Sequence, residues 1–197
     1  PAHLQQNSVV FQQQVGWVLD NSDLQRSDLI VHAGSSLTLV SDVPIETDMY
    51  RCGAIIYGIL KPELGFVPTM ELKAHVVGLG AYPQGATVGY DRANHLDRDS
   101  RLACISIGYA NGFYRNAHNR SAVIIKGQVV PVLGKMSMNT IVADVTKISG
   151  VQVGDVVTVF GGTGAGVIEK AQAEAQFGTI MADLYSDWGL RNHRVYR

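Results

Sequence analysis

Within T-V-G-Y-D-R-A-N-H (residues 87–95), Tyr90 sits at the end of an alternating apolar run, with Asp91 and Arg92 directly behind it. A phenol so placed either packs on a strand or moves a proton. Taken alone it reads as strand packing, because a free phenol with a pKa near about 10 is a poor base at neutral pH. Other stretches could also do chemistry. Ala33-Gly34-Ser35-Ser36 follows a short apolar run, where backbone N–H groups and a hydroxyl can hold an anion at a helix N-terminus. Arg51-Cys52-Gly53-Ala54 sets a guanidinium beside a small turn whose backbone is accessible. Residues 108–115 and 134–139 are polar interruptions of β-prone runs. Individually these read as a helix cap, a solvent-facing Arg and two tight turns.

Several familiar chemistries are excluded by spacing. The glycine run at 161–166 follows a β-prone run and precedes a helical one. Counted from Gly162, however, the last glycine of G-x-G-x-x-G should fall at residue 167, which is Val167. No Lys-Ser/Thr pair turns the run into a P-loop, so a turn is expected there. The six histidines show no metal-ligand spacing, and Cys52 and Cys104 form no pair motif and read as buried thiols. No metal site is expected. Residues 95–101 read as a solvated mixed-charge loop. A Gly-x-Ser-x-Gly elbow is absent from the sequence.

The elements that must position these residues change character along the chain. Phe11, Val15, Val18 and Leu19 recur at helical spacing, which predicts an amphipathic helix over about residues 5–19. Leu29-Ile30-Val31 reads as a strand buried on both faces, and residues 49–53 as a second after a helix-sized gap. Helix, strand, crossover and strand in that order predict parallel α/β structure, with too few units to close a sheet or barrel. Beyond residue 60, runs at 71–77, 102–108, 121–125, 140–145 and 155–160 are short, β-prone and punctuated by Gly or Pro. Residues 168–176 read as helical. The expected fold class is therefore α/β plus all-β, with a boundary near residue 60: domains at 1–59 and 60–197.

Composition narrows the partners. Hydrophobic residues make up 46% of the chain and charged residues 17%, with 21 glycines. That combination predicts a compact, turn-rich body that hides surface against a partner. A net charge of −1 leaves no basic footprint for nucleic acid. No apolar run has the length of a membrane span, so no membrane partner is expected. The sequence opens Pro1-Ala2-His3 and runs at once into helix-like sequence, which reads as a segment of something longer.

Taken in order, H-A-G-S-S (32–36), Y-R-C-G-A-I-I-Y-G (50–58), V-G-Y-D-R (88–92), I-G-Y-A-N-G-F-Y-R (107–115) and V-L-G-K-M-S-M-N-T (132–140) resemble the second half of an alanine-racemase-type amino-acid racemase. The likeness spans the chain and keeps order and spacing. It implies a TIM barrel holding pyridoxal 5'-phosphate (PLP), with residues 1–59 as its last units, followed by a C-terminal β domain. It also implies roles. Ser36, with the backbone at Gly53 and Ala54, would hold the cofactor phosphate. Arg51 would face the pyridine nitrogen, and a guanidinium that keeps its proton leaves that nitrogen largely unprotonated. Tyr90 would be one of two bases and a PLP-bound lysine the other, since racemisation takes a proton from one face and returns it to the opposite one. Tyr109, Arg115 and Met138 would line the substrate site. A head-to-tail homodimer would place Tyr90 in the partner's site.

Departures from the family pattern are also legible. Asn139 and Asn111 stand where most alanine racemases have Asp, and Asp91 where Gly is usual. Leu190 aligns with an expected phosphate-binding tyrosine, for which Tyr185 is the substitute. V-G-Y-D-R, M-S-M-N-T and A-D-L-Y-S-D-W-G resemble most the broad-specificity racemases of Gram-negative bacteria, which implies periplasmic export, with a cytoplasmic location as the alternative. The lysine motif is not among these residues, so the chain is expected to need an N-terminal portion of the same racemase. A narrow alanine racemase and a non-catalytic β dimerisation or binding module are the rival readings.

Overall fold

The computed structural model describes residues 2–164 and 166–196. These form two compact units, the first ending at Thr69 and the second beginning at Met70. The division falls later than the change in sequence texture, because residues 61–69 still bond back to the first unit. The Thr69 N–H donates to the Tyr57 carbonyl at 3.3 Å. Gly58, at φ +62°, lies so close to the Val67 backbone that a Cβ would meet its carbonyl oxygen at 1.9 Å.

In the first unit, helix α1 spans Ala2–Asp20, longer than its apolar repeat predicts, and buries none of its residues. Trp17 is 66% exposed. The two runs expected to be strands are not strands. Only one parallel bridge joins them, His32 to Met49. The Ala33 N–H donates to the Met49 carbonyl at 3.3 Å and the Asp48 N–H to the Val31 carbonyl at 2.8 Å. Ile30, expected to be buried, is 74% exposed. A strand of that apolarity needs cover on both faces, and this unit provides it only around Val31. A single-turn helix, α2 (Ser36–Leu39), follows.

The second unit is a closed barrel. Strand β1 (Leu72–Tyr82) is followed by the short ribbon β2 (Thr87–Val88) and β3 (Asn94–His95), then β4 (Ser100–Ile105), β5 (Ala122–Ile125), β6 (Gln128–Leu133), β7 (Ile141–Asp144), β8 (Val156–Thr163) and β9 (Gly166–Ile168). The hydrogen-bonded order is β1-β4-β7-β6-β5-β8, and β8 pairs back to β1. All these pairings are antiparallel. β1 closes the ring by pairing with β8 through Leu72–His75 and with β4 from Val76 onward, with a shift in register before Gly78. Alternation along β1 sends Leu72, Ala74 and Val76 inward, as the period-2 pattern predicts. Ile105, Val123, Ile125, Ile141, Val157 and Val159 complete an apolar interior. Each such side chain contributes about 1.5–3 kcal/mol by leaving water.

The glycine run at 161–166 is the β8–β9 hairpin, with Gly161 paired to Ile168 and Gly162 to Val167. Ala165 lies outside the described residues. Helix α3 (Lys170–Phe177) occupies the predicted helical stretch, and a further helix, α4 (Met181–Arg191), follows it. Trp188 from α4 packs against Phe160 and Phe177, with ring centroids 5.5 and 5.4 Å apart. Both cysteines are free and half-buried. No group of three or more His, Cys, Asp or Glu side chains among the described residues could hold a metal, and no described helix is long and apolar enough to cross a membrane.

Candidate functional site

Tyr90 is not on a strand. It sits in the loop 89–93 that joins β2 to β3, with Val88 opposite Asn94 and Thr87 opposite His95. The ribbon is seated by a small satellite core of Val88, Leu96 and Leu102, against which Ala86, Leu133 and Val142 pack. This leaves the tyrosine 56% exposed.

Three motif loops converge on that ribbon because glycines let their backbones touch. A Cβ on Gly89 would lie 2.4 Å from the Lys135 nitrogen, and one on Gly134 would lie 2.3 Å from the Val88 oxygen. A Cβ on Gly108 would meet the Ser137 oxygen at 2.4 Å. Across these approaches the Tyr90 N–H donates to the Lys135 carbonyl at 3.4 Å, the Tyr109 N–H to Ser137 at 3.2 Å and the Ala110 N–H to Met138 at 2.9 Å. Asn119 braces the junction: its Oδ1 accepts the Gly134 N–H at 2.6 Å and its Nδ2 donates to the Ala93 carbonyl at 3.4 Å.

The side chains gathered there carry a defined charge pattern. The Arg115 guanidinium stands 5.6 Å from the Tyr90 ring centroid and 5.7 Å from that of Tyr109. Such contacts contribute about 0.5–1 kcal/mol at exposed sites, enough to favour one orientation of a ring. Lys135 pairs with Asp91 at 2.7 Å, and this ammonium holds the Asp91 carboxyl below the usual carboxylate range. Asp91 and Arg92 are both left-handed, at φ 58° and 51°. Asp tolerates that region better than most residues. Met138 is exposed at the edge of the same cluster.

The first unit carries a separate polar turn. The Ser36 hydroxyl, 5% exposed, accepts the N–H groups of Gly53 at 3.2 Å and Ile55 at 3.3 Å. Nothing lies within 4 Å of the place a Cβ would take on Gly53, so its backbone is open. Arg51 Nη1 lies 2.8 Å from His32 Nδ1. A guanidinium can only donate, so Nδ1 accepts and the ring proton sits on Nε2. Arg26 grips Asp48 through both carboxylate oxygens at 2.8 Å, and the Val31 N–H donates to Asp48 at 2.7 Å. Arg26 first, then that amide, lowers the Asp48 carboxyl.

Residues 69–196 match the family described as alanine racemase, C-terminal domain. The chain belongs to that family. It is 39% identical over 188 residues to the broad specificity amino-acid racemase of Pseudomonas taetrolens, covering 95% of this chain and 46% of the relative. It is 37% identical over 185 residues to the lysine racemase of Proteus mirabilis, covering 94% and 46%. The crystal structure of alanine racemase from Bartonella henselae, described as having covalently bound pyridoxal phosphate, superposes with a TM-score of 0.84 at 25% identity, over 100% of this chain and 53% of that one. The chain thus spans about half the length of the relatives it matches. Its β barrel is the C-terminal β domain of alanine racemases.

Within this domain two departures from the family pattern have a physical account. Asn111 Oδ1 accepts the Gly108 N–H at 3.3 Å, a task that needs only an acceptor, so Asn serves as well as Asp. Asp91 replaces the flexibility of glycine with a carboxylate that Lys135 clasps. Nothing in the structure explains Asn139. Tyr185 is buried in the alanine racemase C-terminal domain, edge-on to Phe160 at 5.8 Å, and burial pushes its phenol up. Its ring is committed to the core of the β unit. Leu190 is 80% exposed.

Sequence reasoning missed the braces. Asn119, Trp188 and Asn192 were outside the candidate set. Trp188 Nε1 donates to the Gly112 carbonyl at 3.1 Å and Asn192 Nδ2 to that of Asn111 at 3.0 Å, pinning α4 to the motif at 107–115. Asn119 left a local signal, an Asn suited to the left-handed region it occupies at φ 55°.

Proposed function

We propose that this chain forms the C-terminal part of a PLP-dependent amino-acid racemase of broad specificity, with Tyr90 as one of its two bases. The observation that carries the reading is the display of the Tyr90 phenol on a braced loop, with Arg115 against its ring. Tyr114 is no candidate base: burial and then the neighbouring Asp187 push its phenol up.

The first unit fits the cofactor. The Ser36 hydroxyl accepts two backbone amides and keeps its own proton to donate to a phosphate beside the open Gly53 backbone, and Arg51 adds a fixed positive charge. PLP bound there would draw electrons from the substrate's α-carbon and so acidify its proton. Ser36 and the backbone at Gly53 would hold the phosphate, and Arg51 would donate to the ring nitrogen while keeping its own proton. Ala54 would supply a further amide. Tyr109, Arg115 and Met138 would line the approach. Tyr90 Oη would take the α-proton from one face of the substrate, or return one to it, while a lysine outside this chain serves the other face. The proposal includes a head-to-tail homodimer in which Tyr90 serves the partner's site, and a periplasmic location.

The test is D/L exchange by the complete cofactor-loaded enzyme on lysine, arginine and alanine. The reading expects turnover of all three and a loss of about 10³-fold on Tyr90→Phe, the scale of one positioned base. Turnover of alanine alone would favour a narrow alanine racemase. Unchanged turnover in Tyr90→Phe would reduce the β unit to a dimerisation or binding module.

A further inference from the structure

The loop that carries Tyr90 also carries charge. The Asp91 Oδ2 accepts a hydrogen bond from the Lys135 ammonium at 2.7 Å, while the Asp91 side chain stays 69% exposed. Arg115, whose guanidinium stands 5.6 Å from the Tyr90 ring centroid, adds a smaller stabilisation of the same carboxylate. The surroundings of Tyr90 thus set two cations, Arg115 and Lys135, against the Asp91 anion. None of the roles proposed above uses that anion.

The backbone does not call for a carboxylate here. Asp91 is left-handed at φ 58°, a conformation that glycine takes without strain. The loop does not depend on the ion pair either. Gly89 and Gly134 already meet the backbone opposite, and Asn119 holds Ala93 and Gly134. An ion pair this exposed contributes little to stability. What the carboxylate changes is the local field. Without it, Lys135 and Arg115 would present two uncancelled positive charges beside Tyr90, and Asp91 cancels Lys135 at contact distance.

Every amino acid brings the same α-carboxylate and α-nitrogen to such a field, so only the side chain can be discriminated by it. A cationic side chain brought beside Tyr90 meets a repulsion that a neutral one of the same shape does not. Cancelling Lys135 removes one of its two sources. We propose that Asp91 sets the side-chain specificity of this site: by neutralising Lys135 it admits amino acids with basic side chains, lysine and arginine, beside Tyr90. The inference rests on the racemase reading and adds to it the residue through which basic substrates are tolerated.

The test measures kcat/KM for D/L exchange by the complete cofactor-loaded enzyme on two matched pairs. Lysine is compared with norleucine, its hydrocarbon chain without the ammonium, and arginine with citrulline, its neutral isostere. Asp91→Asn keeps the side-chain shape and suits the left-handed position, but leaves Lys135 uncancelled. It should lower the lysine-to-norleucine and arginine-to-citrulline ratios by about threefold at low salt, mainly through KM. That is the scale set by two unit charges about 6–8 Å apart in water. In about 1 M salt, where the Debye length is about 3 Å, the change should vanish. Lys135→Met should raise both ratios, and the double variant should return them to the parent's values. Ratios that Asp91→Asn leaves unchanged at low salt would overturn the inference. So would a change that salt does not remove, or a double variant that stays shifted, since either would make Asp91 a structural support rather than a charge. A parent that turns over norleucine and citrulline but neither basic substrate would overturn this inference alone. A parent that turns over no amino acid would sink the racemase reading, and this inference with it.

Discussion

The two units hold their polar turns by different means. In the first, Ser36 and Asp48 do the holding: one hydroxyl gathers two amides, and one carboxylate ties Arg26 to the Val31 backbone. The core around them is thin, with α1 burying nothing and Ile30 left exposed. In the second, a closed barrel with a continuous interior carries the ribbon, and the Tyr90 loop is locked by backbone contact at Gly89 and Gly134. Hydrogen bonds from side chain to backbone set a local geometry, whereas a closed sheet with a packed interior sets a global one. The β unit therefore has both kinds of support, and the first unit has mainly the local kind.

The largest effect that would break this contrast is in the β unit. Trp188→Ala removes a ring packed on Phe160 and Phe177 and the donor to the Gly112 carbonyl. It should destabilise the β unit by about 3–5 kcal/mol, measured by denaturant unfolding. A loss near zero would mean that α4 does not clamp the 107–115 motif. Ser36→Ala is the matching change in the first unit. It leaves two amides without their acceptor, an expected loss of about 1–2 kcal/mol, with faster exchange of the Gly53 and Ile55 amides and little change in the β unit. Equal protection loss in both units would erase the distinction.

The smallest effect is that of acid. Asp48 and Asp91 both have carboxyls lowered in the folded state, by Arg26 and by Lys135 respectively. A lowered folded value means that the folded state binds fewer protons than the unfolded one, so these contributions are present above the unfolded value. They are lost as pH falls from about 3.9 through the lowered folded values. Exchange of the Val31 amide, which donates to Asp48, should accelerate over that range before amides of the barrel interior do. The reverse order would show that the first unit does not depend on its carboxylate.

Legibility in the sequence follows the same division. The β-prone runs at 71–77, 121–125 and 140–145 gave β1, β5 and β7: β1 and β7 alternate, as a strand facing a core on one side must, and β5 is a short continuous apolar run buried at Val123, Ile124 and Ile125. Leu29-Ile30-Val31 misled for the converse reason: apolarity reports what a segment could bury, and this unit does not bury Ile30. The alternating run before Tyr90 likewise ended sooner than expected, in a two-residue strand and a loop made by Gly89 and two left-handed residues. The linked motifs named the loops. Their convergence depends on contacts some 26–46 residues apart in sequence, such as Gly89 with Gly134 and Ala93 with Asn119, and no local pattern encodes those. The braces Asn119 and Asn192 act through single amide groups, which leave almost no periodic trace.

The central claim is that Tyr90 serves one face of the substrate and only one. Solvent-deuterium incorporation at the α-carbon, followed separately from the L- and the D-enantiomer of alanine, tests it most directly in the complete enzyme. The account predicts that Tyr90→Phe abolishes incorporation starting from one enantiomer and preserves it from the other, while D/L interconversion is lost. Equal loss from both enantiomers, or loss from neither, would contradict it.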